Sequence, residues 1–567
     1  MWDLHPFDQV NKERARPHGG ARHRGALVRV FASEQVQTSA AGDQGDAVGD
    51  CGRREVSEEA GENAGQEHPA RASERPRQTS AALAAAGLFF LVLTANLCFP
   101  TPQGPADNGD FFRIINEFST GPQGYEYSLP GGGADDDWRY FTYYHRYWLL
   151  ERPDDTSFKV PCSSSLLFLP GRFLDANAPP GYFDLTFNTF VLIAALATAM
   201  FLLLRLLPPM ASLGLGVLAS LILADAGVAS YLNSFYQESG GYFFTVLLLC
   251  ALGWWWFRNS WPSLLALLGT AVLAMASKRP LTVAVAVVVV VATGVAVVLA
   301  RFQKRELVRF VLAVAVVVVT GLTVNRVSSL PLHSKVYCYS AIFGGMLPSL
   351  GEGEQVAFLR EVGLPESFAA FSGTIPHGPG TPFADEHVQA AMSGAVQARA
   401  VVAFVTHYPG GLFRLLRRVG EAAGEYEVPY FGYRGPEYSS ASQDLGGLHW
   451  WTELRAGVLG GWIGYIVGAL LTAILFVFRA HGSARRWLVK LRWGAVAFYL
   501  ASLTQILIVA LGDGGVSLPK ALYFANLTLD IQFLLAIAAI GVVFLPRVGR
   551  LYGVTPAWAG RTKESGQ

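Results

Sequence analysis

Ten apolar runs with few or no charges dominate this chain: roughly residues 80–99, 186–207, 209–228, 241–257, 261–277, 280–300, 306–325, 456–478, 491–511 and 527–546. A helix rises about 1.5 Å per residue, so about 20 such residues cross the roughly 30 Å hydrocarbon core of a bilayer. The runs exclude the about four water-soluble domains that 567 residues would otherwise allow. The expected fold class is an all-α membrane protein of about ten transmembrane helices, with two large extracytoplasmic loop regions. Two runs are weaker than the rest: 209–228 contains Asp225, and 261–277 is short.

Charge is distributed as this reading requires. Of the first 78 residues 24 are Asp, Glu, Lys or Arg, against 63 of the remaining 489. That first stretch is rich in Arg, Glu, Gln, Ala and Gly, has no sustained apolar period, and is expected to be a disordered cytoplasmic tail. The first run ends in Asn96–Leu97–Cys98–Phe99–Pro100, without a small-residue cleavage site, and reads as a retained signal anchor. Cytoplasmic connections of membrane proteins are enriched in Lys and Arg. With the N-terminus inside, the inner connections carry twelve such residues, from Arg205 to Arg550, whereas the short outer ones carry Lys278, Arg279 and Lys520. The expected division is a tail at 1–78, a membrane core at 79–325 with a first outer loop at 100–185, a second outer region at 326–455, closing helices at 456–547 and a cytoplasmic tail at 548–567. About 215 residues then stand outside a cell membrane, where chemistry on the outer face has room.

Several function classes lose support at once. A net charge of +1 gives no global field for nucleic acid. The five cysteines include no CxxC pair, and the chain has neither a GxxxxGK[ST] loop nor an HExxH helix. Cys162 and Cys338 fall one in each outer region, where a disulfide between them is possible.

The candidate chemistry lies at the outer rim. The first outer loop opens with Asp107–Asn108–Gly109–Asp110–Phe111–Phe112–Arg113, two carboxylates around an Asn-Gly turn. An aspartate held there suits a general base or a divalent cation, and an ordinary capped turn would look the same. After the third run comes Asn233–Ser234–Phe235–Tyr236–Gln237–Glu238, with Glu238 the only charge before Gly240–Gly241. Asp225 lies nearby in or at the end of a membrane helix, where a carboxylate is a functional suspect. Lys278–Arg279 breaks the positive-inside pattern and suits a phosphate at headgroup level, or snorkelling to lipid. Lys520 repeats the idea before the tenth run, with Asp530 deeper inside it. The aromatics from Tyr125 to Trp148 fit either sugar rings or a half-buried core. His407 precedes Leu412–Phe413–Arg414–Leu415–Leu416–Arg417–Arg418, which reads as a basic amphipathic helix in the headgroup plane.

These motifs, in this order and placement, resemble the GT-C superfamily, the polytopic glycosyltransferases that use lipid-phosphate sugars. Asn108–Gly109–Asp110–Phe111, Asn233–Ser234–Phe235–Tyr236–Gln237–Glu238, Ser277–Lys278 and the Tyr337–Leu347 stretch leading to Gly363–Leu364–Pro365 look similar to bacterial hexose transferases of surface-glycan assembly. The likeness covers roughly 80–547. It implies a hexose donor on polyprenyl phosphate and a glycan or lipid-linked acceptor. It implies Asp110 as base, with Asp107 as its alternate, and inversion at the anomeric carbon. Glu238 would orient the acceptor or assist a divalent cation (Mg or Mn), although Asp107 and Asp110 do not form a DxD. Lys278 and Arg279, with Lys520 as a weaker third, would stabilise the leaving phosphate. Asn108, Arg113, Asn233, Tyr236 and His407 are the candidate substrate-binding groups. The competing readings are a polymerase, ligase or flippase of lipid-linked glycans, leaning on His407, Arg414, Arg417 and Arg418, and a transporter or non-catalytic assembly protein.

Overall fold

The computed structural model describes residues 69–106, 110–111, 114, 144–149, 162–174, 181–327, 331–376, 381–428, 432–434, 446–479, 482–513 and 518–551. Each of the ten apolar runs falls on helix. They form α1 (Pro69–Leu97), α2 (Leu185–Leu204), α3 (Pro209–Ile222), α4 (Gln237–Arg258), α5 (Trp261–Ser277), α6 (Leu281–Leu299) and α7 (Lys304–Val327). After α8 (Glu352–Val362), α9 (Gly394–His407), α10 (Pro409–Glu421) and α11 (Trp450–Gly457) come α12 (Trp462–Val477), α13 (Gly482–Gly512) and α14 (Tyr523–Leu551). Among the described residues the only paired strands are β1 (Tyr147–Leu149) and β2 (Tyr182–Asp184), which are antiparallel. This is an all-α membrane protein.

Seven of the helices are long and apolar enough to cross a bilayer, and two bent pairs raise the number to nine if each is one span. The difference from ten has physical causes. α5 has 17 residues, about 25 Å of helix, which is short for a bilayer core. The third run breaks at Asp225, where α3 and the following Ala226–Asn233 meet at 73°. Asp225 accepts from Gly227 N at 3.0 Å, Trp451 N at 2.9 Å, Thr452 N at 3.3 Å and the Thr452 hydroxyl. One carboxylate thus caps two helix N-termini, its own and that of α11, 226 residues away. α11 and α12 are the second bent pair, at 102°. α1 begins at Pro69, ahead of its apolar run, in Ala-, Arg- and Glu-containing sequence that favours helix.

The two long connections lie on one face of the bundle, because they bond to each other. Gly104 N donates to Tyr433 O at 3.0 Å and Ala106 N to Gly432 O at 2.8 Å. Gln103 exchanges two hydrogen bonds with Gly446, at 2.7 and 2.8 Å. Asn96 accepts from Leu448 N at 2.9 Å and donates to Ala224 O at 2.7 Å. Only glycine fits at 104, since a Cβ there would stand 2.1 Å from Asn233 O. On the opposite face, Arg309 of α7 donates to Asn259 Oδ1 at 2.6 Å and to Glu306 at 2.7 Å, closing the α4–α5 turn onto α7. Cys162 and Cys338 are both free thiols, so the possible disulfide between the two outer regions is not formed.

Candidate functional site

Four of the expected residues converge on the loop-bearing face. Glu238 sits in the first turn of α4 and is 2 % exposed. Lys278 ends α5, and its Nζ lies 2.5 Å from Glu238 Oε1. Lys520, on the one-turn helix Leu518–Ala521 before α14, pairs with Asp110. Glu238 lies in electrostatic range of Lys520 and Asp110 as well as Lys278. Burial alone would pull the Lys278 ammonium down, but the Glu238 carboxylate outweighs it and holds Lys278 above its ordinary value. Two lysines and two carboxylates therefore form one cluster.

The sequence around each group explains the convergence. Gly240–Gly241 follow Glu238 on α4, and a Cβ at Gly241 would stand 2.1 Å from the Phe524 ring, so α4 and α14 meet closely just below Glu238 and Lys520. Ser164, from the first long connection, donates to Gln237 O at 3.0 Å and to Ser277 O at 3.3 Å, the residues preceding Glu238 and Lys278. Gln505 of α13 holds Pro280 O at 2.6 Å. Lys520 Nζ stands 4.1 Å over the Tyr236 ring, and Lys278 Nζ 5.8 Å over that of Phe524. These aromatic faces favour a cation.

Asn233 and Tyr236 position the Asp110 loop. Asn233 donates to Leu97 O at 3.0 Å and Gln103 O at 2.9 Å, and accepts from Thr189 at 2.9 Å and Tyr144 at 3.1 Å. Its amide joins the end of α1 to the start of the loop. Tyr236 donates to Ala106 O at 2.7 Å, and its ring packs on Phe111 with centroids 4.6 Å apart. Both side chains have protein partners. Trp148, expected for sugar or core, is 3 % exposed and packs on Phe111 and Phe235, which is the core outcome.

The remaining expectations divide. Arg279 is exposed beside Lys278. Asp107, Asn108 and Arg113 lie outside the described residues, as do the aromatics from Tyr125 to Tyr143. His407 is not brought to the cluster: it closes α9, 2.5 Å from Glu361, with its side chain 62 % exposed. Among the described residues no group of three or more His, Cys, Asp or Glu could hold a metal ion. Both rim carboxylates are paired with ammonium groups, Glu238 with Lys278 and Asp110 with Lys520.

Sequence reasoning missed a second node. Arg455 of α11 and Asp530 of α14 are both fully buried, with Nε 3.0 Å from Oδ1. Tyr426 donates to Asp530, and Asn526 binds Gly424 N at 2.9 Å and Glu425 O at 2.9 Å. Burial, with Asp530 beside it, pushes the Tyr426 phenol well above its ordinary range. Tyr337, within the Tyr337–Leu347 motif, also interacts with Lys278. Asp530 stands out in the sequence as a carboxylate inside the tenth apolar run, whereas nothing local marks Arg455 as its partner.

The family profile described as YfdI N-terminal transmembrane domain matches residues 70–548. Curated proteins and solved structures give no match to the chain. The profile covers every spanning helix and all four residues of the rim cluster, and on that match the chain belongs to the family of the YfdI N-terminal transmembrane domain.

Proposed function

We propose that this chain is an integral-membrane hexosyltransferase that moves a sugar from a polyprenyl-phosphate donor to a glycan or lipid-linked acceptor at the outer face of the cell membrane. The observation that carries the reading is the convergence of Asp110, Glu238, Lys278 and Lys520 from four distant parts of the chain. The family match supports a membrane glycosyltransferase in the same direction. The N-terminus is cytoplasmic in this reading, and the loop-bearing face is outside.

The acceptor hydroxyl attacks the anomeric carbon as the bond from that carbon to the phosphate oxygen breaks. Configuration inverts. Asp110 takes the hydroxyl proton, with Asp107, three residues earlier in the sequence, as the alternate. Glu238 holds Lys278 in place and orients the acceptor. The departing electron pair leaves polyprenyl phosphate with one more negative charge, which Lys278, Lys520 and Arg279 stabilise where it develops. Three cations against two carboxylates leave one positive charge at the rim among the described residues. That surplus matches a phosphodiester donor with one negative charge better than a diphosphate. No step is routed through a metal. Asn108 and Arg113 remain candidates for substrate contact.

The ligase reading leans on groups that are already engaged. His407 pairs with Glu361, Arg414 donates to Ser349 O at 2.6 Å, Arg417 pairs with Glu421, and Arg418 donates to Gly344 O at 2.9 Å. The test is an assay of the full chain in vesicles with a panel of polyprenyl-phosphate hexoses and lipid-linked acceptors. The expected result is an inverted glycoside and released polyprenyl phosphate, with activity retained in His407→Ala. Transfer only from a diphosphate-linked glycan, abolished by His407→Ala, would replace this reading with the ligase.

A further inference from the structure

The amphipathic segment after His407 is not used by the transfer site, and its geometry in the fold is distinctive. α9 and α10 meet at a corner at Tyr408–Pro409. Around that corner runs an exposed apolar ridge: Val402 at 63 %, Val405 at 42 % and Phe413 at 70 % exposure. Val402 and Val405 are three residues apart on one face of α9, and Phe413 continues the ridge on the first turns of α10. The other face of α10 is buried through Leu415 and Val419. An exposed ridge of this kind on a folded domain marks a contact surface.

Two observations identify what covers it. The first is height. Gly420, at the end of α10, abuts Trp462, the first residue of α12, so closely that a Cβ at 420 would stand 2.1 Å from the indole. Gly461 N donates to Ala423 O at 2.6 Å. α10 is therefore fixed where α12 enters the membrane, and tryptophan is favoured at that boundary. The apolar surface continues down α12 through the exposed Ile463, Ile466 and Leu470. The second is charge. Three of the basic groups flanking the ridge are matched by acids, Arg414 with Glu354, Arg417 with Glu421 and His407 with Glu361, which leaves the exposed Arg399, one turn before Val402, as a lone cation beside it among the described residues.

We infer that the α9–α10 corner is an interfacial foot, whose ridge of Val402, Val405 and Phe413 lies in the headgroup layer of the bilayer by apolar insertion rather than by attraction to anionic lipid. The foot is tied to the rim: Arg418 donates to Gly344 O at 2.9 Å, within the π-helical Ser340–Met346 that follows Tyr337. It sets the height of the second long connection over Lys278.

The test uses the full chain in vesicles, with Cys51 and Cys162 changed to serine and one cysteine added at Val402, Phe413 or Arg360, each carrying an environment-sensitive fluorophore. Arg360 is the aqueous reference, its side chain 69 % exposed. Labels at 402 and 413 are expected to lose fluorescence to brominated phosphatidylcholine, and the label at 360 to keep it. The loss is expected to be the same in zwitterionic vesicles and in vesicles with added anionic lipid. Labels at 402 and 413 that read water would overturn the inference. So would quenching that needs anionic lipid, or shielding that grows with protein density, which would assign the ridge to a second copy. Each labelled protein is first checked for unchanged elution in detergent, so that a folding defect is not read as exposure.

Discussion

Two acid–base nodes tie α14 and the one-turn helix before it to the loop-bearing face, and they are built from different cations. The rim uses lysine: Lys278 with Glu238 and Lys520 with Asp110, with side-chain exposures of 16 % for Lys278 and 27 % for Asp110. The deeper node uses arginine: Arg455 and Asp530 are both at 0 %. A guanidinium is a fixed, planar donor array suited to a permanent bond, whereas an ammonium is a compact charge on a pliable stem. The deep node also has further partners, with Tyr426 on Asp530 and Asn526 Oδ1 3.5 Å from Arg455. In the proposed transferase, the difference separates a lock from the site of transfer. The lock pins the segment around Gly424–Tyr426 and α11 to α14, whereas the proposed reaction asks the rim charges to turn to a substrate.

Breaking each node should give opposite signatures. The largest stability effect is expected at the lock. Arg455→Met leaves Asp530 buried and unpaired, which costs about 3–5 kcal/mol. Thermal unfolding in detergent would show it as a lower midpoint and a poor folded yield. If that midpoint stays near the parent's, the node is not a lock.

At the rim, the double variant Glu238→Gln with Lys278→Met removes a whole pair. Stability should stay within about 1 kcal/mol of the parent, because no lone charge is left. Transfer should still fall by about 10²–10³-fold, the usual effect of losing one stabilising group for a developing anion. A double variant that keeps the parent's transfer would remove this pair from the reaction, and one with a clearly lower unfolding midpoint would make the pair a lock as well.

The smallest effect on transfer is expected for Arg309→Met on the opposite face. It loses bonds to Asn259 and Glu306, but Arg305 already reaches Asn259 O at 3.4 Å and compensates in part. Glu306, with its side chain 5 % exposed, then lacks its cation, so about 3 kcal/mol of stability is expected to go. Transfer per folded molecule, read in vesicles, should not change. A selective loss of transfer would mean that the opposite face takes part in the reaction.

The helices were legible because a bilayer leaves an apolar run of 20 residues no other way to pair its backbone. Glu238, Lys278, Asp110 and Lys520 were legible as exceptions to an apolar or inside-positive pattern. What the sequence hides is pairing at a distance. Asp225 looks like an intramembrane carboxylate, but its acceptor capacity goes to Trp451 and Thr452 on a helix that starts in the other long connection. Asn233 looks like a substrate group in a short polar loop, and its bonds run to Leu97, Gln103, Tyr144 and Thr189. Arg455 has an ordinary local context and acquires its meaning from Asp530, 75 positions away. Such contacts depend on how helices stack, which periodicity does not encode.

The most direct test of the central claim is Asp110→Asn, a change that preserves shape and removes the base. Transfer from polyprenyl-phosphate hexose, measured in vesicles on protein with an unaltered unfolding midpoint, should fall by about 10²–10⁴-fold, the usual contribution of a positioned base. Transfer at the parent's rate in that folded variant would contradict the account.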